Sequence, residues 1–99
     1  MTAALMVTYP ASAGARFDHD YYRDTHLPLV QDALSPLGLT SAVALRPGAD
    51  APHLAVAILN FADAATRDAA LGAPEAGPVF ADIANFTDAA PVAIPCDVI

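Results

Sequence analysis

Residues 3–9, AALMVTY, alternate in two rows: Ala3, Leu5, Val7 and Tyr9 on one side, Ala4, Met6 and Thr8 on the other. Both rows are largely apolar, which predicts a strand in the middle of a sheet. Pro10 to Gly14 reads as a loop. Phe17 and Asp18 then open a helix, with Asp18 as N-cap, Asp20 near the positive helix end and Phe17 packed on Tyr22. At about 100° per residue, Tyr22, His26, Leu29 and Ala33 share one face, with Val30 at its edge. Gly38 is the stop signal. TSAVALR, 40–46, is a second strand closed by Pro47 and Gly48. HLAVAILNF, 53–61, is the strongest strand and is apolar on both faces. Asp63 caps a second helix, AATRDAAL, which Gly72 ends. Pro74 and Pro78 precede a short helix, VFADIANF, on which Val79, Ile83 and Phe86 share a face beside Asp82. PVAIPCDV, 91–98, is the last strand, with Val92, Ile94, Cys96 and Val98 on one side. Pro91 and Pro95 lack ladder donors and place it at an edge.

The order β-α-β-β-α-β predicts one α+β domain over residues 1–99, a ferredoxin-like antiparallel sheet with its helices on one face. Composition adds to this. Of 99 residues, 56% are hydrophobic and only 15% charged, so the chain is too apolar for disorder. A domain this small also leaves apolar surface outside its own core. The uncovered sheet face is the expected place for it. A second copy packed sheet on sheet would cover that face and give a homodimeric α+β barrel.

The net charge of −7 argues against nucleic acid and against an anionic membrane surface as partners. There is no lysine, and the four bases are Arg16, Arg23, Arg46 and Arg67. That removes Schiff-base and pyridoxal chemistry and a phosphate-binding P-loop. Cys96 is the sole cysteine, so neither an intrachain disulfide nor a thiolate metal cluster is expected. The N-terminus reads as a strand and not as a signal peptide, and no segment has the length of a membrane span. A cytoplasmic location is the resulting expectation.

His26 is the first candidate for chemistry. An imidazole on an inward face is either a core residue held by a hydrogen bond or a neutral general base. Tyr22, one turn earlier, could orient the ring or donate to an oxyanion. Pro28 removes the hydrogen bond to the Asp24 carbonyl, which predicts a kink and space between helix and sheet. His19 lies seven residues from His26, about 10.5 Å along a helix, too far to share a metal ion. The chain has no HxxxH or HExxH spacing, and no metal or other cofactor is expected. Asp82 borders an apolar stripe and needs a partner there; near His26 it would complete a His–carboxylate couple. Tyr9, Phe17, Leu29, Asn85 and Phe86 are the candidate substrate-contacting residues, and His53 a lesser one. Asn85 and Asp88 also read as ordinary turn formers, and Cys96 as a small core residue.

Tyr21-Tyr22 followed by His26-Leu27-Pro28-Leu29, with an Asp before them and Asp82-x-x-Asn85-Phe86-Thr87-Asp88 near the end, resembles the EthD family. The likeness runs from the Tyr9-Pro10 strand end to the last strand. It implies a ferredoxin-like domain that dimerises into an α+β barrel, with positions 26 and 82 lining a cleft between helices and sheet. The family takes its name from a protein encoded with a cytochrome P450 system for ether degradation. Similar domains act as decarboxylases and dehydratases, and the wider superfamily holds isomerases, cofactor-free monooxygenases and haem enzymes. Residues and resemblance together lead to an expected cofactor-independent acid–base enzyme for a small apolar metabolite, aromatic or lactone-like. It would be an isomerase, a lyase or an oxidoreductase-type monooxygenase. His26 would take a proton alpha to a carbonyl, Tyr22 would stabilise the oxyanion and Asp82 would orient the histidine. The alternative is a non-catalytic accessory protein for a P450-type oxidoreductase.

Overall fold

The computed structural model describes residues 2–99. Four strands form one antiparallel sheet: β1 (Ala3–Pro10), β2 (Leu39–Leu45), β3 (His53–Phe61) and β4 (Val92–Asp97), in the order β2-β3-β1-β4. The two doubly apolar strands, β1 and β3, are the inner pair. β4, with Pro95, lies at an edge where its missing N–H costs least. Arg67 adds a tie to this weak edge. Its buried guanidinium donates to the carbonyls of Ala4 and Cys96, at 3.3 and 3.1 Å, and so joins β1 and β4.

The helices lie on one face. Ala3, Leu5 and Tyr9 of β1 and Ala55, Ala57, Leu59 and Phe61 of β3 point toward them and are buried. Two packed clusters result. One is aliphatic, around Leu5, Val30, Leu34, Leu59 and Phe61. The other is aromatic, around Tyr9, Tyr22 and Phe86. The opposite sheet face carries no helix. Its register sets Val43, Ile58, Met6 and Ile94 side by side, and Leu45, Val56, Thr8 and Val92 beside them. Val43 is 47% exposed and Ile94 38%. The chain thus leaves the apolar face that the element order implied.

The first helical region is not a single α-helix. It runs as α1 (His19–Tyr21), a π-helical turn (Tyr22–His26) and α2 (Leu27–Leu34), then a 3₁₀ turn (Ser35–Leu37). Asp18 caps its start by accepting from the Tyr21 N–H. The expected kink at Pro28 takes the form of this widened turn, in which the Leu27 N–H donates to the Tyr22 carbonyl. Pro28 then falls in the first turn of α2, where its missing N–H matters least. Gly38 ends the region at φ 108°, a backbone conformation that favours glycine.

α3 (Ala64–Leu71) starts at Asp63, whose carboxylate accepts from the Thr66 N–H. A 3₁₀ turn (Pro74–Ala76) comes next, and the single short helix expected at 79–86 is two pieces: α4 (Gly77–Ala81) and another 3₁₀ turn (Asp82–Asn85). The last of these carries Asp82. No helix among the described residues is long and apolar enough to cross a membrane.

A candidate acid–base site at His26 and Asp82

Asp82 is delivered to His26 by a strap between chain segments distant in sequence. The Asp18 N–H donates to the Phe86 carbonyl at 2.8 Å. The Thr87 hydroxyl donates to the Arg16 carbonyl at 2.6 Å, and the Arg16 N–H donates to Asp88 Oδ1 at 2.8 Å. Phe17 and Thr87 also form an isolated antiparallel bridge. The strap sews the segment after Asp82 to the entrance of the first helical region. Thr87 and Asp88 therefore have structural work in this chain.

His26 is 3% exposed. Its Nδ1 lies 2.9 Å from Asp82 Oδ2, with the two side chains 4% and 11% exposed. The other carboxylate oxygen accepts from the Tyr21 hydroxyl at 2.7 Å and from Asn85 Nδ2 at 2.9 Å. Burial pushes the Asp82 carboxyl up, but donation from Tyr21, Asn85 and His26 outweighs it and the net shift is downward. Asp82 is thus a carboxylate near neutral pH. A carboxylate only accepts, so Nδ1 must carry the proton. With the proton on Nδ1, the lone pair of a neutral ring sits on Nε2, which has no protein partner among the described residues.

The ring is wedged between Phe86 and Tyr22, with centroids 4.6 and 5.1 Å away. His26 lines a cavity of about 40 Å³ where the aliphatic and aromatic clusters meet, together with Tyr9, Tyr22, Val30, Val79 and Ile83. Burial drives the Tyr22 phenol up to about 12, against a smaller opposing effect of Tyr9. Burial likewise raises Tyr9, helped by Tyr22. Both are neutral hydroxyls in the physiological range and can donate, but neither is a base there.

The structure brings His26, Asp82, Tyr22 and Tyr9 into one region, with Phe86 fully buried as the platform under the imidazole. Asn85 acts through Asp82 and is itself exposed. Phe17 packs on Tyr9, Tyr22 and Phe86 but faces an outer cleft. Leu29 packs against the aliphatic cluster and does not line the cavity. His53 borders a separate surface cleft. His19 Nε2 donates to the Leu54 carbonyl, away from His26. Among the described residues, no group of three or more His, Cys, Asp or Glu could hold a metal.

Tyr21 is the functional candidate that the sequence pattern missed. Its hydroxyl, and not that of Tyr22, reaches Asp82. At 100° per residue Tyr21 points away from His26, whereas the intervening π-helical turn closes a five-residue spacing. The available signal was the tyrosine doublet followed by Pro28. The hydrogen bond to Asp82 is the main reason the Tyr21 phenol is raised, with burial and the carboxylate charge adding to it.

Asp82 also sets a pH dependence. Its folded pKa lies below its unfolded value of 3.8, so its stabilisation is complete above that range and lost as pH falls through the folded value. Asp82→Asn should cost about 1–3 kcal/mol at neutral pH, because one carboxylate oxygen becomes an NH2 and the donor facing it loses its acceptor. Urea unfolding across a pH series should show wild type and variant converging as pH falls below the ordinary carboxylate value of 3.8. A gap that does not narrow at all as the pH is lowered through the acid range would mean the carboxylate charge plays no part.

The EthD domain profile matches residues 13–90. Among solved structures, an EthD-like protein from Ralstonia eutropha JMP134 is 32% identical, with a TM-score of 0.84, over 99% of this chain and 92% of that one. An ethyl tert-butyl ether D (EthD) family protein from Bacillus halodurans C-125 is 17% identical with a TM-score of 0.78, over 100% of both chains. A dimeric ferredoxin-like protein of unknown function from Jannaschia sp. CCS1 is 18% identical with a TM-score of 0.65, over 99% of this chain and 100% of that one. No curated protein matches the chain. With the profile covering most of its length and a solved relative at 32% identity, the chain belongs to the EthD family.

Proposed function

We propose that this chain is a cofactor-independent acid–base enzyme for a small apolar carbonyl metabolite, aromatic or lactone-like. One observation carries the reading: a buried histidine with Nδ1 fixed on a carboxylate borders an otherwise apolar cavity. Such a ring is a base poised at Nε2. The proton removed would lie alpha to the substrate carbonyl. Asp82 would stabilise the imidazolium that forms, as a carboxylate does beside a catalytic histidine. Tyr22, a neutral donor on the cavity wall, would hold the developing enolate oxygen. Tyr21 and Asn85 would keep Asp82 in place.

Isomerisation, dehydration and attack of the carbanion on oxygen all follow from that first proton transfer; a decarboxylation would reach the same enolate by loss of CO2, with His26 then returning a proton to carbon. The cavity sets a further condition. At about 40 Å³ it holds water but no organic ring, since benzene occupies an engineered cavity of ~150 Å³. Substrate must therefore displace part of the wall. Phe80, half exposed on the five-residue α4, is the side chain best placed to yield. A panel of aromatic lactones and quinols should reveal turnover. On any substrate found, His26→Gln should lower kcat by roughly 10²–10⁴-fold while the fold is kept. Unchanged turnover in a folded His26→Gln variant would refute the mechanism.

A homodimer belongs to the same reading. The helix-free apolar face has the composition of an interface, and a structurally similar ferredoxin-like protein is described as dimeric. Val43 and Ile94 are exposed in the single chain, so Val43→Glu with Ile94→Glu should leave the fold intact and yield monomers in light scattering. A wild-type chain that is already monomeric would instead favour an accessory protein that offers this face to an oxidoreductase.

A further inference from the structure

We propose a second binding site, on the outer side of Tyr22, for a small amphipathic carboxylate. The site is a groove between the first helical region and the edge strand β2. Tyr22, Leu27, Ala44, Leu45 and Ala55 form its apolar lining, and His19, Asp20, Arg23 and Arg46 add charged and polar groups. Its volume is about 260 Å³, well above that of the His26 cavity and above the ~150 Å³ in which benzene is held. At His19 and Arg46 it runs into an open cleft that also borders Arg16.

The charges select the ligand. The chain has eleven acidic residues and four arginines. Arg23 is paired with Asp24 at 2.7 Å and faces Asp20 at 3.5 Å. Arg67 is buried and pairs with Asp68 at 3.0 Å. Despite this excess of acid, the guanidiniums of Arg16 and Arg46 make no ion pair or hydrogen bond among the described residues, and both line the same cleft. Asp18 and Asp20 lie there too. Asp18 is committed to the Tyr21 N–H as a helix cap, and Asp20 to Arg23. Two uncommitted guanidiniums at the end of an apolar groove match a carboxylate head on an apolar body. His19 completes the rim. Its Nε2 donates to the Leu54 carbonyl and its ring leans on Phe17, with centroids 4.6 Å apart. Nδ1 of a neutral ring is then an acceptor, open to water and not to the carboxylate, which is left to the two arginines.

Tyr22 lines both this groove and the His26 cavity. An occupant of the groove would press on the wall of the inner site without touching His26. The groove needs no catalysis at His26, so its test is one of binding.

Octanoate and neutral octanamide, titrated into the full-length chain, serve as probes, read by amide NMR shifts. Octanoate should move residues 19–27 and 44–46 and bind about tenfold more tightly than the amide. Arg46→Gln, an exposed change, should abolish that preference, Arg16→Gln should reduce it, and His26→Gln should leave it intact. Added salt should weaken octanoate and not octanamide. Equal affinity for the two probes, shifts confined to the inner cavity, or an unaltered preference in a folded Arg46→Gln variant would each overturn the site. Loss of octanoate binding in His26→Gln alone would place the ligand in the inner cavity and also overturn it.

Discussion

The Asp82 carboxylate is the constraint around which this molecule is arranged. A carboxylate that is largely removed from water is costly unless its oxygens are occupied. Here one oxygen faces the His26 Nδ1–H and the other takes donors from Tyr21 and Asn85. Those contacts join the first helical region to the turn before β4, which are far apart in sequence. Their chemical consequence is a fixed tautomer. With Nδ1 committed, the basic lone pair belongs to Nε2. Burial of the ring between Tyr22 and Phe86 then fixes its plane, so proton affinity and direction are set by the same packing.

The first helical region shows how a local defect serves that arrangement. Pro28 cannot donate within a regular helix, and a π-helical turn before it resets the hydrogen bonding. The reset has a second effect. Both members of the tyrosine doublet become useful, Tyr21 toward Asp82 and Tyr22 toward the cavity wall. A regular α-helix would turn one of them away. π-helical turns are uncommon and cluster at functional sites, which agrees with this placement.

The strands were legible because burial on two faces leaves an unmistakable pattern. AALMVTY and HLAVAILNF read as inner strands and are the inner strands. The caps at Asp18 and Asp63 were legible because an exposed N–H demands an acceptor of that kind. His26 could be seen to face inward, but its pairing with Asp82 depends on a strap formed by Thr87, Asp88 and the Phe86 carbonyl, whose partners lie about seventy residues away. Periodicity cannot register such contacts. It also assumed 100° per residue through a segment that does not keep to it, and so it overlooked Tyr21. The division of 74–85 into short turns was hidden for a related reason, since 3₁₀ and α turns share almost the same apolar spacing. Arg67 gave no pattern at all. Its role as a tie between β1 and β4 appears only once the strands are side by side.

The central claim is that Asp82 holds His26 as the Nδ1–H tautomer with a free Nε2. Long-range ¹H–¹⁵N NMR of the His26 imidazole, recorded as pH is raised until its signals no longer change, reads this directly. The expected spectrum shows a protonated Nδ1 and an unprotonated Nε2. A neutral ring found with its proton on Nε2 would contradict it.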